Sequence, residues 1–265
     1  MRFSYRNLVV ASAIALAIAA ISGCTGSGLP MPANGPQGQS FSTNDALVRF
    51  VNGSPDLGAV DVYLDGRLAF AGVGFGAIAP TNPNIPGIQF PGTASYAAVP
   101  SGQALVTLYA AGTKTLVAIP FVFSTKTGDR WSVVAAGNHV TPTFQMLAFN
   151  DGHFITATGA FAFDFHEASP NQNNTTLTAS CSGCSGSPGV FGVALGKTVP
   201  PQLIGSLTSL TLQSVGSAGT DTLILNRAQV LPQTFGLTYV NVAAYEIDVD
   251  TAGHAGMTFG VDLNG

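Results

Sequence analysis

The sequence predicts an all-β protein: two tandem immunoglobulin-like antiparallel β-sandwich modules behind a signal peptide and a flexible tether. Three observations carry this expectation. The 265 residues include 32 Gly and 16 Pro but only 8% charged residues, against about 25% in ordinary globular domains. Apolar and polar residues alternate in short runs bounded by turn residues, the pattern of half-buried strands. The pattern of the first half then returns in the second.

The chain opens with Arg2 and Arg6 ahead of an uncharged apolar run, Leu8 to Ile21. That run suits a secretory h-region and is short of the about 20 residues a spanning helix needs. It ends in Ile21-Ser22-Gly23-Cys24, which resembles the lipobox of bacterial lipoproteins. The resemblance implies cleavage before Cys24 and lipidation of Cys24. Thr25, where an inner-membrane lipoprotein would carry Asp, implies the outer membrane by the same resemblance. The expected organisation is a signal peptide over 1–23, lipidated Cys24 and a tether rich in Gly, Ser, Pro and Asn over 24–44, one sandwich over 45–152, and a divergent repeat over 153–265.

Without residues 1–23 the nine basic residues fall to seven, against 13 acidic ones. This argues against nucleic acid, whose phosphates require Lys and Arg. Strand-like runs follow at 46–52, 60–64, 67–71, 95–99, 104–110, 115–123, 131–136 and 144–149. Asp65-Gly66 between the second and third is a strong hairpin signal. Pro120 inside the 115–123 run points to an edge strand or a bulge.

Several segments recur in order. FVNGSP (50–55) matches FHEASP (165–170), and VGFGAIAP (73–80) matches VALGKTVP (193–200). VTLYAAG (106–112) matches LTLQSVG (210–216), and WSVVAA (131–136) resembles YVNVAA (239–244). Residues 47–64, LVRFVNGSPDLGAVDVYL, followed by FGAIAP and SYAAVPSGQALVTLYAAG, resemble the opening of domain of unknown function 4397, a bacterial family. The resemblance covers most of 46–150 and implies an exported β-sandwich. It supplies no catalytic residues. Residues 80–94 look like an insertion relative to that family's compact pattern.

Candidate chemistry is sparse. With Cys24 lipidated, Cys181 and Cys184 remain as an isolated pair in an oxidising compartment. The repeat places them on either side of a hairpin tip equivalent to Asp65-Gly66. A structural disulfide is the favoured reading, with a reduced, redox or metal-binding pair as alternatives. No Lys, Arg or His lies within ten residues to lower a thiol pKa, and no second CxxC completes a zinc site. Glu246, Asp248 and Asp250 alternate on one strand face. They are expected on a solvated face, with a weak calcium site as the alternative. His166 and Glu167 are adjacent in a strand and point to opposite faces. GVGFGA (72–77) opens no helix and is not a dinucleotide fingerprint. Phe75, Phe90 and Tyr96 flank the insertion and could form an aromatic binding cluster.

The expected function is that of a non-catalytic lipoprotein of the bacterial cell envelope, with a structural, adhesive or partner-binding role and no cofactor. Its partners would be the membrane, through the lipid anchor, and a protein or glycan. The alternatives are a carbohydrate- or ligand-binding module using residues 80–94 and, behind that, an extracytoplasmic thiol oxidoreductase using Cys181 and Cys184.

Overall fold

The computed structural model describes residues 45–80, 96–140, 143–151, 160–184, 188–205, 208–226 and 239–264. The expected signal peptide, Cys24, the tether and Phe90 lie outside them. The described residues form strands and turns, with no helix among them.

The first half contains β1 (Asp45–Gly53), β2 (Val60–Leu64), β3 (Arg67–Val73), β4 (Ile78–Ala79), β5 (Ala97–Pro100), β6 (Gly102–Ala110), β7 (Phe121–Thr125), β8 (Arg130–Ala136) and β9 (Gln145–Asn150). The second contains β10 (Ala160–Glu167), β11 (Asn174–Ser182), β12 (Val190–Ala194), β13 (Thr198–Leu203), β14 (Ser209–Gly216), β15 (Gly219–Asn226), β16 (Tyr239–Asp248) and β17 (Ala255–Asn264). Asp65 and Gly66 join β2 to β3 with positive φ angles of 49° and 77°, the left-handed pair that suits a tight hairpin. The 115–123 run is shorter than expected. Leu116 makes one isolated bridge to Tyr109, and β7 starts only after Pro120. Proline has no N–H to give a ladder, so it precedes the strand instead of interrupting it, and β7 is indeed an edge.

Each half builds two sheets with the same strand order. The outer sheets run β3-β2-β6-β7 and β12-β11-β14-β15; the inner sheets run β4-β1-β8-β9 and β13-β10-β16-β17, with β5 added to β1. Registers repeat as well: Phe50 faces Ala79 as Phe165 faces Val199, in agreement with two of the sequence matches. A third slips. Phe50 faces Val133, whereas Phe165 faces Ala244, so WSVVAA corresponds to 242–247 and not to 239–244. Both runs begin with an aromatic residue and end in Ala-Ala, and this shared pattern matched in the wrong register.

The pairs β1–β8 and β10–β16 are parallel, while the other pairs are antiparallel. Parallel pairs belong in sheets covered on both faces, and that is where they lie. One face of the first inner sheet, with Val48, Phe50 and Val133, packs on its outer sheet through Val60, Val62 and Leu108. The second half does the same with Phe163, Phe165 and Val242 against Leu177, Leu210 and Leu212. A third core joins the two inner sheets, with Val51, Ile78, Val134 and Phe149 on one side and Ala168, Tyr245 and Ile247 on the other. The described residues thus stack four sheets deep. Gly53 allows the middle layers to meet, because a Cβ there would lie 2.7 Å from Ile247 Cγ2.

Candidate functional site

The third core is not wholly apolar. Arg49 on β1, Ser132 on β8 and Asp151 just after β9 face Asp164 and His166 on β10 and Tyr245 on β16. All are buried. The alternation of β1 turns Arg49 away from the Val48–Phe50 face and into the seam, and the alternation of β10 puts Asp164 and His166 on one face two residues apart. Arg49 Nε donates to Ser132 Oγ at 2.7 Å, and its Nη2 lies 3.2 Å from Asp151 Oδ2. The guanidinium also sits over the rings of Tyr96 and Tyr245, 4.8 and 5.6 Å from their centroids. Ser132 donates to Asp151 Oδ2 at 2.8 Å, and Tyr96 donates to the same oxygen at 3.0 Å. The one hydroxyl proton of Ser132 is then used, so the 2.6 Å contact with Tyr245 has the tyrosine as donor. His166 stacks on Tyr245, and its Nδ1 lies 3.0 Å from Thr198 Oγ1.

Burial pushes the Asp151 carboxyl up, opposed by the charges of Arg49 and His166. Burial also holds the Tyr245 hydroxyl well above the ordinary range. Serine, histidine and aspartate are all present, but Ser132 gives its proton to Asp151 and not to His166. A nucleophile also needs a route for substrate, and every one of these side chains is buried.

A second polar network fills the end of the core between β10, β16 and the outer sheet. Glu246 accepts from Gln172 Nε2 at 3.1 Å, from Thr175 Oγ1 at 2.9 Å and from Ser214 Oγ. Glu167, its direct neighbour in the ladder, is pushed up to about 9 by burial and by sharing a hydrogen bond with Glu246. Asp248 accepts from Ser169 Oγ and from Asn171 Nδ2, the latter at 2.6 Å. Its carboxyl is raised by burial, against those bonds. The expected solvated face is therefore a correction: Glu246 and Asp248 are buried, because β16 is central in a sheet covered on both sides. Asp250 alone is exposed, paired with His254 Nδ1 at 2.6 Å. The calcium candidates thus have three separate sets of partners.

A solvent-facing groove of about 400 Å³ lies on the first sandwich, between the β6–β7 connection and the start of β9. Val117 to Phe121, His139, Phe144 and Met146 line it. Ile119 is 87% exposed, and Val140, next to His139 in the chain, 84%. His139 is held by the 2.6 Å contact of Nε2 with the Val117 carbonyl and by an edge contact with Phe144.

The sequence model for a domain of unknown function, DUF4397, matches residues 46–178. The chain belongs to the DUF4397 family. The match runs past the first sandwich into β10 and β11, further than the resemblance over 46–150 suggested. No curated protein matches the chain. Among solved structures it is similar to a Bacteroides uniformis protein assigned to cell adhesion, at 10% identity with a TM-score of 0.26, covering 83% of this chain and 98% of that one. It is also similar to a family 41 carbohydrate-binding module of streptococcal virulence factors that recognises α-glucan, at 12% identity with a TM-score of 0.23, covering 83% and 97%. Likenesses this weak carry no argument about function.

The residues that carry the DUF4397 resemblance have structural tasks. Arg49 centres the seam. Asp56 is raised by burial but brought below its ordinary value by the backbone N–H groups of Val140 and His139, at 2.9 and 2.6 Å. Asp61 accepts from the N–H groups of Gly72 and Gly112, at 2.8 and 2.9 Å, tying the end of β3 to the turn after β6.

The remaining candidates fall out as follows. Cys181 and Cys184 form a disulfide across the β11 turn, packed on the second core. Of the aromatic cluster, Phe75 is 42% exposed, whereas Tyr96 is fully buried on Arg49 and Asp151. Tyr96 is therefore corrected from a surface ring to a core donor. Residues 49, 132, 151 and 164 were not singled out from sequence. Their signal is a charged or polar residue inside an otherwise apolar run, as in LVRFV and FDFHE.

Proposed function

We propose that this DUF4397 chain is a non-catalytic binding protein of the bacterial cell envelope, held at the outer membrane by lipid on Cys24, with the Ile119 groove as its contact surface. One observation carries this reading: among the described residues the Ser132, Asp151 and His166 cluster is sealed between sheets, while the exposed groove is lined mainly by apolar side chains. Exposed apolar surface of this kind is the mark of an interaction site, and a lipid anchor on a long tether would present it away from the bilayer.

Two measurements test the proposal. A photo-crosslinking residue at position 119 of the full chain in cells yields a discrete adduct, which the same residue at Ile224, an exposed site on the second outer sheet, does not. Equal adducts from both positions, or none, would remove the groove from the proposal. Cys24→Ser moves the protein from the membrane pellet to the soluble fraction; retention in the pellet would remove the anchor. The carbohydrate-binding alternative has less support, since Tyr96 is unavailable and Phe75 is the exposed ring that remains among the described residues.

A further inference from the structure

Asp151, Asp164 and His166 each direct one potential ligand atom to a common point in the seam, and these atoms lie within 4.8 Å of one another. His166 Nε2 is 3.3 Å from Asp151 Oδ1 and 3.5 Å from Asp164 Oδ2. Yet Nε2, Asp151 Oδ1 and Asp164 Oδ1 make no hydrogen bond, although all three are buried. A buried imidazole nitrogen without a hydrogen bond, aimed between two carboxylates, is expensive unless something positive joins them.

The rest of each side chain is already fixed. Asp151 Oδ2 takes the bonds from Ser132 and Tyr96 together with Arg49, and His166 Nδ1 is engaged by Thr198. Outer partners of this kind orient ligands around a metal, and a bond from Nδ1–H to Thr198 leaves Nε2 as the coordinating atom. The spacing suits one ion as well. Zinc bonds of about 2.0–2.2 Å to nitrogen and oxygen in a tetrahedron place neighbouring ligands about 3.3–3.6 Å apart, which the two spacings from His166 Nε2 match. Three donors are too few for calcium, which takes six to eight oxygens.

Charge agrees with this reading. The two carboxylates offset a divalent ion through Asp151 Oδ1 and Asp164, while Arg49 shares Asp151 Oδ2 and also lies over the faces of Tyr96 and Tyr245. We propose that Asp151, Asp164 and His166 form a structural site for a zinc-type divalent ion that pins the two inner sheets together. Asp151 would supply the bond from the first half, and Asp164 and His166 those from the second.

The full chain in detergent, stripped with a chelator and titrated with Zn²⁺ alone, tests this. The expected result is one equivalent bound, a rise in Tm of several degrees, and, when Co²⁺ replaces Zn²⁺, the visible absorption of an ion held by three protein ligands with water in the fourth position. Asp164→Asn keeps the side-chain shape and lies outside the Arg49 and Ser132 bonds. It should weaken Zn²⁺ binding more than about 100-fold, beyond the effect of losing an outer partner. Asp250→Asn, at the exposed His254 pair, should leave binding unchanged. A stripped protein as stable as the zinc-treated one, with no Co²⁺ spectrum, would mean that a proton joins the three groups, and it would overturn the proposal. Binding lost in Asp250→Asn but kept in Asp164→Asn would overturn it too. If Asp164→Asn fails to fold by circular dichroism, the stoichiometry and Co²⁺ spectrum of the unaltered chain still decide.

Discussion

At the residue scale, two buried groups set the energetic character of the molecule. Arg49 is fully enclosed, and its charge is met by Asp151 and two tyrosine rings. Arg49→Met leaves a carboxylate without its main partner and should cost about 3–5 kcal/mol, read as a lower Tm. Adding Asp151→Asn should recover part of that loss, because an amide carries no charge into the seam. Glu167 works differently. Its folded value of about 9 against an ordinary 4.5 means that between those pH values the folded chain keeps a proton that the unfolded chain has released. Its contribution is full below about pH 4.5 and is lost as pH rises to about 9. Glu246 faces it in the ladder, and Glu167→Gln can still donate to that partner. The variant should therefore show a flatter decline of Tm between about pH 5 and 9 than the unaltered chain.

At the scale of elements, spacing decides. A methyl at position 53 meets both Ile247 and the Ala135 carbonyl, the latter at 3.0 Å. Gly53→Ala should cost about 1–3 kcal/mol, and Ile247→Ala in the same chain should return part of it by removing the clashing atom. The disulfide closes a very small loop, so breaking it by reduction should lower stability by only about 1–2 kcal/mol. The first-half strands are legible in the sequence because short apolar runs end at turn residues, and the Asp65-Gly66 hairpin falls where expected. The two-residue β4 is too short to leave a period, and the 115–120 stretch has strand-like composition without a ladder partner beyond Leu116. The seam escapes a local reading because its groups come from five separated strands or strand ends. What can be read locally is that LVRFV and FDFHE have apolar residues on both sides of a charge. A strand with one wet face would put such a charge in solvent. A strand covered on both faces has to bury it and find it a partner.

At the scale of the whole molecule, the two halves share a core as well as each having one. A fragment ending at Asp151 would expose Val51, Ile78, Val134 and Phe149, all buried in the full chain. It should aggregate or melt broadly, whereas the full chain should melt in one transition by calorimetry. A full chain with two well-separated transitions would show that the third core couples the halves only weakly.

The parallel pairs at the centre also impose an order in time. The β2–β3 hairpin can close as soon as its few residues exist, but Arg49 meets Ser132 only across 83 positions, and Ser132 meets Tyr245 across 113. A chain made from its N-terminus therefore carries β1 with an unpaired edge until β8 has emerged, and the seam waits for almost the last strand. Long-range pairing of this kind makes for slow folding and leaves edges exposed in the interval. The layers that end up most deeply covered are the last that can be completed.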